Sequence, residues 1–179
     1  MLFGARACLS PNANARPEGR EPSLVVVHGI SLPPGEYGGP WIDDLFLNRL
    51  DANAHPYFAD IASLHVSAHV LIRRDGTAVQ YVPFHRRAWH SGESVFMGEC
   101  GCNDFSIGIE LEGCDTDTYT AGQYQRLAAL CRALQREYPE IRRDRIVGHS
   151  DVSPGRKTDP GAFFDWSRLM REMDSQDIS

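Results

Sequence analysis

The stretch Leu24-Val25-Val26-Val27-His28 decides the fold. It is a short β-branched run bounded by Pro22 and Gly29, and a run of that length and bounding reads as a buried strand with His28 as its last residue. Arg145-Ile146-Val147 is a second short strand, followed closely by His149. The segment Ser106–Glu112 alternates, which sets Ile107, Ile109 and Leu111 on one face and Ser106, Gly108, Glu110 and Glu112 on the other. That second face is polar and partly unfilled.

Residues 66–82 read as a hairpin. Val66, Ala68, Val70 and Ile72 alternate with Ser67, His69 and Leu71, and Asp75-Gly76 supplies the positive φ of a tight turn. A helix follows Thr120, where Thr120-x-x-Gln123 has the capping-box pattern and Tyr124, Leu127, Cys131, Leu134 and Tyr138 form one stripe that Pro139 ends. A brief terminal helix lies around residues 166–170. Strands and helices interspersed in one small chain give an α/β fold, a mixed central sheet flanked by helices.

The chain has 179 residues, about one domain at roughly 150 residues each. Residues 1–22 read as an irregular N-terminal arm, 23–172 as the domain and 173–179 as a C-terminal tail. With 42% hydrophobic and 23% charged residues, the chain is too apolar for disorder and too charged for a membrane protein. Its net charge of −6 is spread out, which argues against a nucleic-acid partner, because phosphate binding needs a concentrated basic footprint. No apolar run has the length of a signal core or a membrane span. Five cysteines, an odd number, fit a reducing cytoplasm, and Cys100-Gly101-Cys102 reads as bystander thiols with no second close pair at metal-finger spacing.

Seven histidines are many for a domain of this size. His28 and His149 each follow a β-rich triplet, which would bring the two strand ends, and both imidazoles, to one edge of a shared sheet. Asp159 follows in Arg156-Lys157-Thr158-Asp159-Pro160-Gly161, where Pro160 and Gly161 turn the loop back. Two histidines and one carboxylate are a catalytic zinc set with a fourth position for water, although spacing alone is a weak signal for it. Lys157 suits an oxyanion partner or a plain surface cation. Glu110 and Glu112 are both candidates for the general base, and periodicity does not choose between them. Trp89, before His90-Ser91-Gly92, offers a sugar-stacking face or a core ring. His69 either lines the groove or hydrogen-bonds inside it.

These residues resemble a known family. The blocks His28-Gly29-Ile30-Ser31-Leu32-Pro33-Pro34-Gly35, His55-Pro56-Tyr57-Phe58, Val66-Ser67-Ala68-His69, Arg73-Arg74-Asp75-Gly76, Arg87-Ala88-Trp89-His90, Cys102-Asn103-Asp104-Phe105 continuing through Ser106–Glu112 to Gly113, and the Arg156 to Gly161 loop are similar to the AmpD family. These are the cytoplasmic 1,6-anhydro-N-acetylmuramyl-L-alanine amidases of cell-wall recycling, and the likeness spans residues 24–166. The resemblance implies a peptidoglycan-recognition type fold and a groove with one Zn2+ per chain held by His28, His149 and Asp159. It implies Glu110 as catalytic acid/base and Lys157 as transition-state cation, with Arg156, Trp89 and His69 on the substrate. It further implies cleavage of the amide between the lactyl group of anhydro-N-acetylmuramic acid and L-alanine, with a small muropeptide as partner and no nucleic acid, membrane or obligate protein. Segments 31–50 and 51–64 are expected to border the groove. Gly29, Ser150, His65 and Gly101 depart from the family pattern without removing a ligand. The competing readings are a non-catalytic muropeptide-recognition module, which would usually lose a ligand or the catalytic pair, and a periplasmic wall-trimming amidase, which would carry a signal or lipid anchor.

Overall fold

The structure is a computed structural model that describes residue 2 and residues 4–175. In chain order its elements are β1 (Arg6–Ala7), β2 (Ala13–Ala15), β3 (Leu24–Ile30), α1 (Trp41–Phe46), α2 (Phe58–Ile61), β4 (Val70–Ile72) and β5 (Ala78–Gln80). There follow β6 (Arg86–Ala88), β7 (Val95–Phe96), β8 (Glu99–Cys100), β9 (Ser106–Glu112), α3 (Ala121–Glu137), β10 (Ile146–Gly148), α4 (His149–Val152) and α5 (Trp166–Asp174). Among the described residues, the main sheet has the order β1-β5-β4-β9-β3-β10, with two small ladders, β2-β6 and β7-β8, beside it. β3 runs parallel to both β9 and β10, and β4 is parallel to β9 but antiparallel to β5. The sheet is therefore mixed, as expected.

One face of this sheet is apolar throughout. Val25, Val27, Val70, Ile72, Ile107, Ile109 and Leu111 pack against Tyr124, Leu127, Cys131 and Leu134 of α3 and Leu169 and Met173 of α5. α3 starts where expected: the Thr120 hydroxyl accepts from the Gln123 N–H while the Gln123 side chain accepts from the Thr120 N–H, which satisfies two orphan donors of the first turn. On the other face the apolar packing splits in two. Leu71, Val79 and Tyr81 pack with Ile42, Leu45, Phe46 and Phe58 of α1 and α2 at one end. Leu24 and Val26 pack with Cys102, Phe105 and Val152 at the other.

Several expectations need correction. His28 does not end its strand, which runs on through Gly29 to Ile30 because β9 pairs with it along its full length. The hairpin is confined to β4 and β5, with Gly76 at φ +85° in its turn, and His69 lies just before β4. The terminal helix reaches Asp174 with Met173 buried, so the start of the expected tail belongs to the fold; residues 176–179 lie outside the described residues.

The largest difference is the N-terminal arm, which is woven into the molecule. β1 adds an edge to the main sheet and β2 pairs with β6. Asn12, 2% exposed, donates to Phe46 O, Asn48 Oδ1 and Val66 O. The Arg16 guanidinium donates to the carbonyls of Phe84, Asn103, Asp104 and Ser106. No helix among the described residues is long and apolar enough to cross a membrane.

Candidate functional site

The gap between the two apolar patches is where the polar side chains gather. In the parallel register Gly148 stands opposite Val27 and Glu110 opposite His28, so His149, which opens α4, comes level with His28. Asp159 arrives from the following loop, fastened by the Ser150 N–H on Asp159 O at 3.0 Å and the Tyr119 hydroxyl on Pro160 O at 2.9 Å. Tyr119 Oη also fills the space beside Gly29, where an added Cβ would lie 2.4 Å away.

Three donor atoms form a small triangle. His28 Nδ1 and His149 Nδ1 are 2.9 Å apart, and Asp159 Oδ2 is 3.2 Å from the first and 3.1 Å from the second. His149 Nε2 faces only the Ser91 carbonyl oxygen, at 3.2 Å, so it carries the ring proton and Nδ1 presents a lone pair. A lone pair aimed at a carboxylate oxygen at this distance is repulsive unless a cation lies between them. Tetrahedral coordination at roughly 2.0–2.1 Å sets donor edges of about 3.3 Å, close to those found. The donor set therefore fits a divalent metal of zinc's preference. It is the one such cluster among the described residues. Burial chiefly, with the neighbouring imidazole and Lys157 adding to it, lowers His28 to about 4, outweighing Asp159, and keeps it in the neutral ligand form. The Asp159 carboxyl is raised by burial but lowered further by the two imidazoles, and ends below the ordinary carboxylate range.

The two glutamates of β9 have different surroundings. Glu112 accepts from Arg73 Nη1 at 2.9 Å, the Gly38 N–H at 2.7 Å and the Arg74 N–H at 3.1 Å, so both of its oxygens are committed. Glu110 is buried and its Oε2 has no hydrogen-bond partner. Burial, and after it the Asp159 charge, raises its pKa well above the ordinary value, while Lys157 pulls it back. Unpartnered buried carboxylates are uncommon, and one facing a groove marks a group free to exchange a proton.

That groove has a volume of about 470 Å³. Its floor includes His28, His90, Glu110, His149, Lys157 and Asp159, and its walls include Leu32, Phe46, Tyr57 and Leu64. Segments 31–50 and 51–64 thus border it, as expected.

The three expected substrate contacts stand elsewhere. His69 is 0% exposed: its Nδ1 accepts from the Gly108 N–H and its Nε2 faces Arg86 O, so it is a buried cross-brace. Trp89 lies outside the groove lining and donates through Nε1 to Asn14 Oδ1. Arg156 also lies outside it, its Nη2 on the carbonyls of Ser91 and Glu93 and on Ser153 Oγ. On the polar face of β9 the His90 ring covers Gly108, while Glu110 borders the groove. A glycine inside a strand signals such a close approach. The five cysteines are free thiols.

Residues 18–162 match the family model described as N-acetylmuramoyl-L-alanine amidase. The chain belongs to that family. Over 168 residues this amidase is 61% identical to the 1,6-anhydro-N-acetylmuramyl-L-alanine amidase AmpD of Escherichia coli K12, covering 94% of this chain and 91% of that protein. It is 62% identical to the Citrobacter freundii protein of the same name, with 94% and 89% covered. A crystal structure of a selenomethionine AmpD derivative superposes with a TM-score of 0.94 at 59% identity, covering 96% of each chain. A more distant structure, the E. coli amidase AmiD in complex with anhydro-N-acetylmuramic acid-L-Ala-D-γ-Glu-L-Lys, gives a TM-score of 0.62 at 26% identity, covering 89% of this chain and 61% of that one.

Proposed function

We propose that this amidase hydrolyses the amide joining the lactyl group of 1,6-anhydro-N-acetylmuramic acid to L-alanine of the stem peptide, in cytoplasmic muropeptide recycling. His28 Nδ1, His149 Nδ1 and Asp159 Oδ2 hold one Zn2+ per chain, which when bound supplies Lewis-acid activation of the scissile carbonyl and of the attacking water. Glu110 takes the water proton on Oε2 as the water oxygen bonds to the carbonyl carbon. It returns that proton to the alanine nitrogen as the C–N bond breaks. The Lys157 ammonium shares the negative charge that builds on the carbonyl oxygen. The walls around Phe46, Tyr57 and Leu64 keep water away from the reacting groups and give the sugar apolar surface to rest on.

The observation that carries this reading is the unpartnered Glu110 Oε2 beside the donor triangle on one groove floor. A recognition module gains nothing from a buried carboxylate without a partner, whereas a proton shuttle requires one. The names of the AmpD relatives and the muropeptide bound by AmiD point to the same substrate. Mass spectrometry of products from anhydro-N-acetylmuramyl-tripeptide tests it, with zinc-loaded and chelated protein side by side. Free tripeptide and anhydro-sugar in the zinc-loaded sample alone are expected. Intact substrate in both samples, with binding still measurable, would establish the recognition module instead.

A further inference from the structure

One dipeptide stands behind both imidazoles of the donor triangle. His28 Nε2 is 2.9 Å from His90 Nδ1, and His149 Nε2 is 3.2 Å from the carbonyl oxygen of the next residue, Ser91. The dipeptide is itself pinned, because Asn103 Oδ1 accepts from the His90 N–H at 3.2 Å and from the Ser91 N–H at 2.8 Å. Protons can be assigned along this chain of contacts. An imidazole that offers Nδ1 to a cation carries its proton on Nε2. His28 therefore donates to His90 Nδ1, and His90 keeps its own proton on Nε2, 3.1 Å from Ser106 Oγ. The ring is fixed in place over Gly108, where even one methyl would come within 2.4 Å of His90 Cγ.

We propose that His90 and Asn103 are positioning residues for the metal, a clamp that sets the tautomer and direction of both histidine ligands from one turn. The inference rests on the zinc site proposed above. Partners of this kind on the outer nitrogen of a ligating histidine fix its orientation and raise its basicity, and their loss typically weakens metal binding by 10–100-fold. His90 is an unusual partner because it is neutral where a carboxylate is common, so it orients His28 without adding negative charge. Asn103 works at one remove, holding the turn that carries both acceptors.

The test is zinc affinity of the full chain by competition with a chromophoric chelator, alongside urea unfolding of each chelated protein. His90→Phe keeps a ring over Gly108 but removes the acceptor, while His90→Asn restores an acceptor where Nδ1 stood. Zinc affinity is expected to fall about 10–100-fold in His90→Phe and to return to within about threefold of wild type in His90→Asn. Wild-type affinity in folded His90→Phe, or no recovery in folded His90→Asn, would overturn the clamp. Should His90→Phe not fold, Asn103→Ala carries the test: a loss of about tenfold or more supports the proposal, and wild-type affinity overturns it. Wild-type protein that fails to bind zinc, or His28→Ala that binds as tightly as wild type, would instead refute the zinc site, so the two failures are distinguishable.

Discussion

The two faces of β9 make the sharpest contrast in the molecule. Ile107, Ile109 and Leu111 face α3 and α5 in an unbroken apolar layer, while Ser106, Gly108, Glu110 and Glu112 face the gap between two smaller apolar patches. One face holds the strand in place, and the other uses that rigidity to hold a carboxylate where it has no partner. A strand interior suits this task better than a loop, since side-chain direction is set by the ladder. Even on the polar face the labour is divided: Glu112 ties the strand to Arg73 and the loop before α1, and Glu110 two residues earlier is left free.

The largest expected effect breaks the polar side alone. His149→Ala removes one vertex of the donor triangle, so zinc binding and turnover should fall together, turnover by at least about a thousandfold. The chelated protein should unfold within about 1 kcal/mol of wild type or become more stable, because the variant relieves two facing lone pairs. Metal analysis and urea titration read both. Retained zinc would place the ion elsewhere.

Next comes a break on the apolar side. Ile109→Ala should cost about 2–5 kcal/mol of folding stability, measured by urea unfolding, while kcat per folded molecule stays within about threefold of wild type. A large loss of kcat at unchanged stability would mean that the two faces are not separable.

The smallest effect sharpens the comparison through pH. His69 is lowered to about 3, chiefly by burial and then by Arg16, so the fold keeps it neutral while the unfolded chain takes up a proton below about 6.5. Its contribution is complete above that pH and is lost as pH falls toward 3. The slope from this one group is about 1.4 kcal/mol per pH unit. His69→Asn retains an acceptor for the Gly108 N–H but does not titrate, and the stability of the chelated variant should fall less steeply between pH 6 and pH 4.5. Equal slopes would show that His69 is protonated in the folded protein.

What the sequence made legible follows from local pattern. Alternation in β9, the capping box of α3 and Gly76 in its turn each signal through residues close in sequence, and two parallel strand ends sufficed to pair His28 with His149. The arm was misjudged because β1 and β2 are two and three residues long and carry no period; their order comes from β5 and β6. His69, Trp89 and Arg156 stand away from the groove lining for a related reason. Their partners, such as Arg86 O, Asn14 and Ser91 O, lie outside any local pattern. Gly108 was the available signal for His90, since a glycine amid β-branched neighbours marks a close approach. Periodicity left Glu110 and Glu112 equal and the family resemblance pointed to Glu110; the physical difference, Arg73 and two backbone N–H groups on Glu112, lies outside any local pattern.

The most direct measurement pairs Glu110→Gln with Glu112→Gln in the zinc-loaded protein and reads kcat and unfolding free energy for both. Glu110→Gln should lower kcat by about 10²–10⁴ while leaving zinc content intact, and should not reduce stability, since Glu110 Oε2 has no hydrogen-bond partner to lose. Glu112→Gln should lose about 1.5–3 kcal/mol, because the charge-assisted bond to Arg73 goes and Arg73 keeps only Asp43, at 3.4 Å, as a carboxylate partner, with kcat per folded molecule within about threefold of wild type. The reverse pattern, with turnover abolished in Glu112→Gln and retained in Glu110→Gln, would contradict the division of labour along β9.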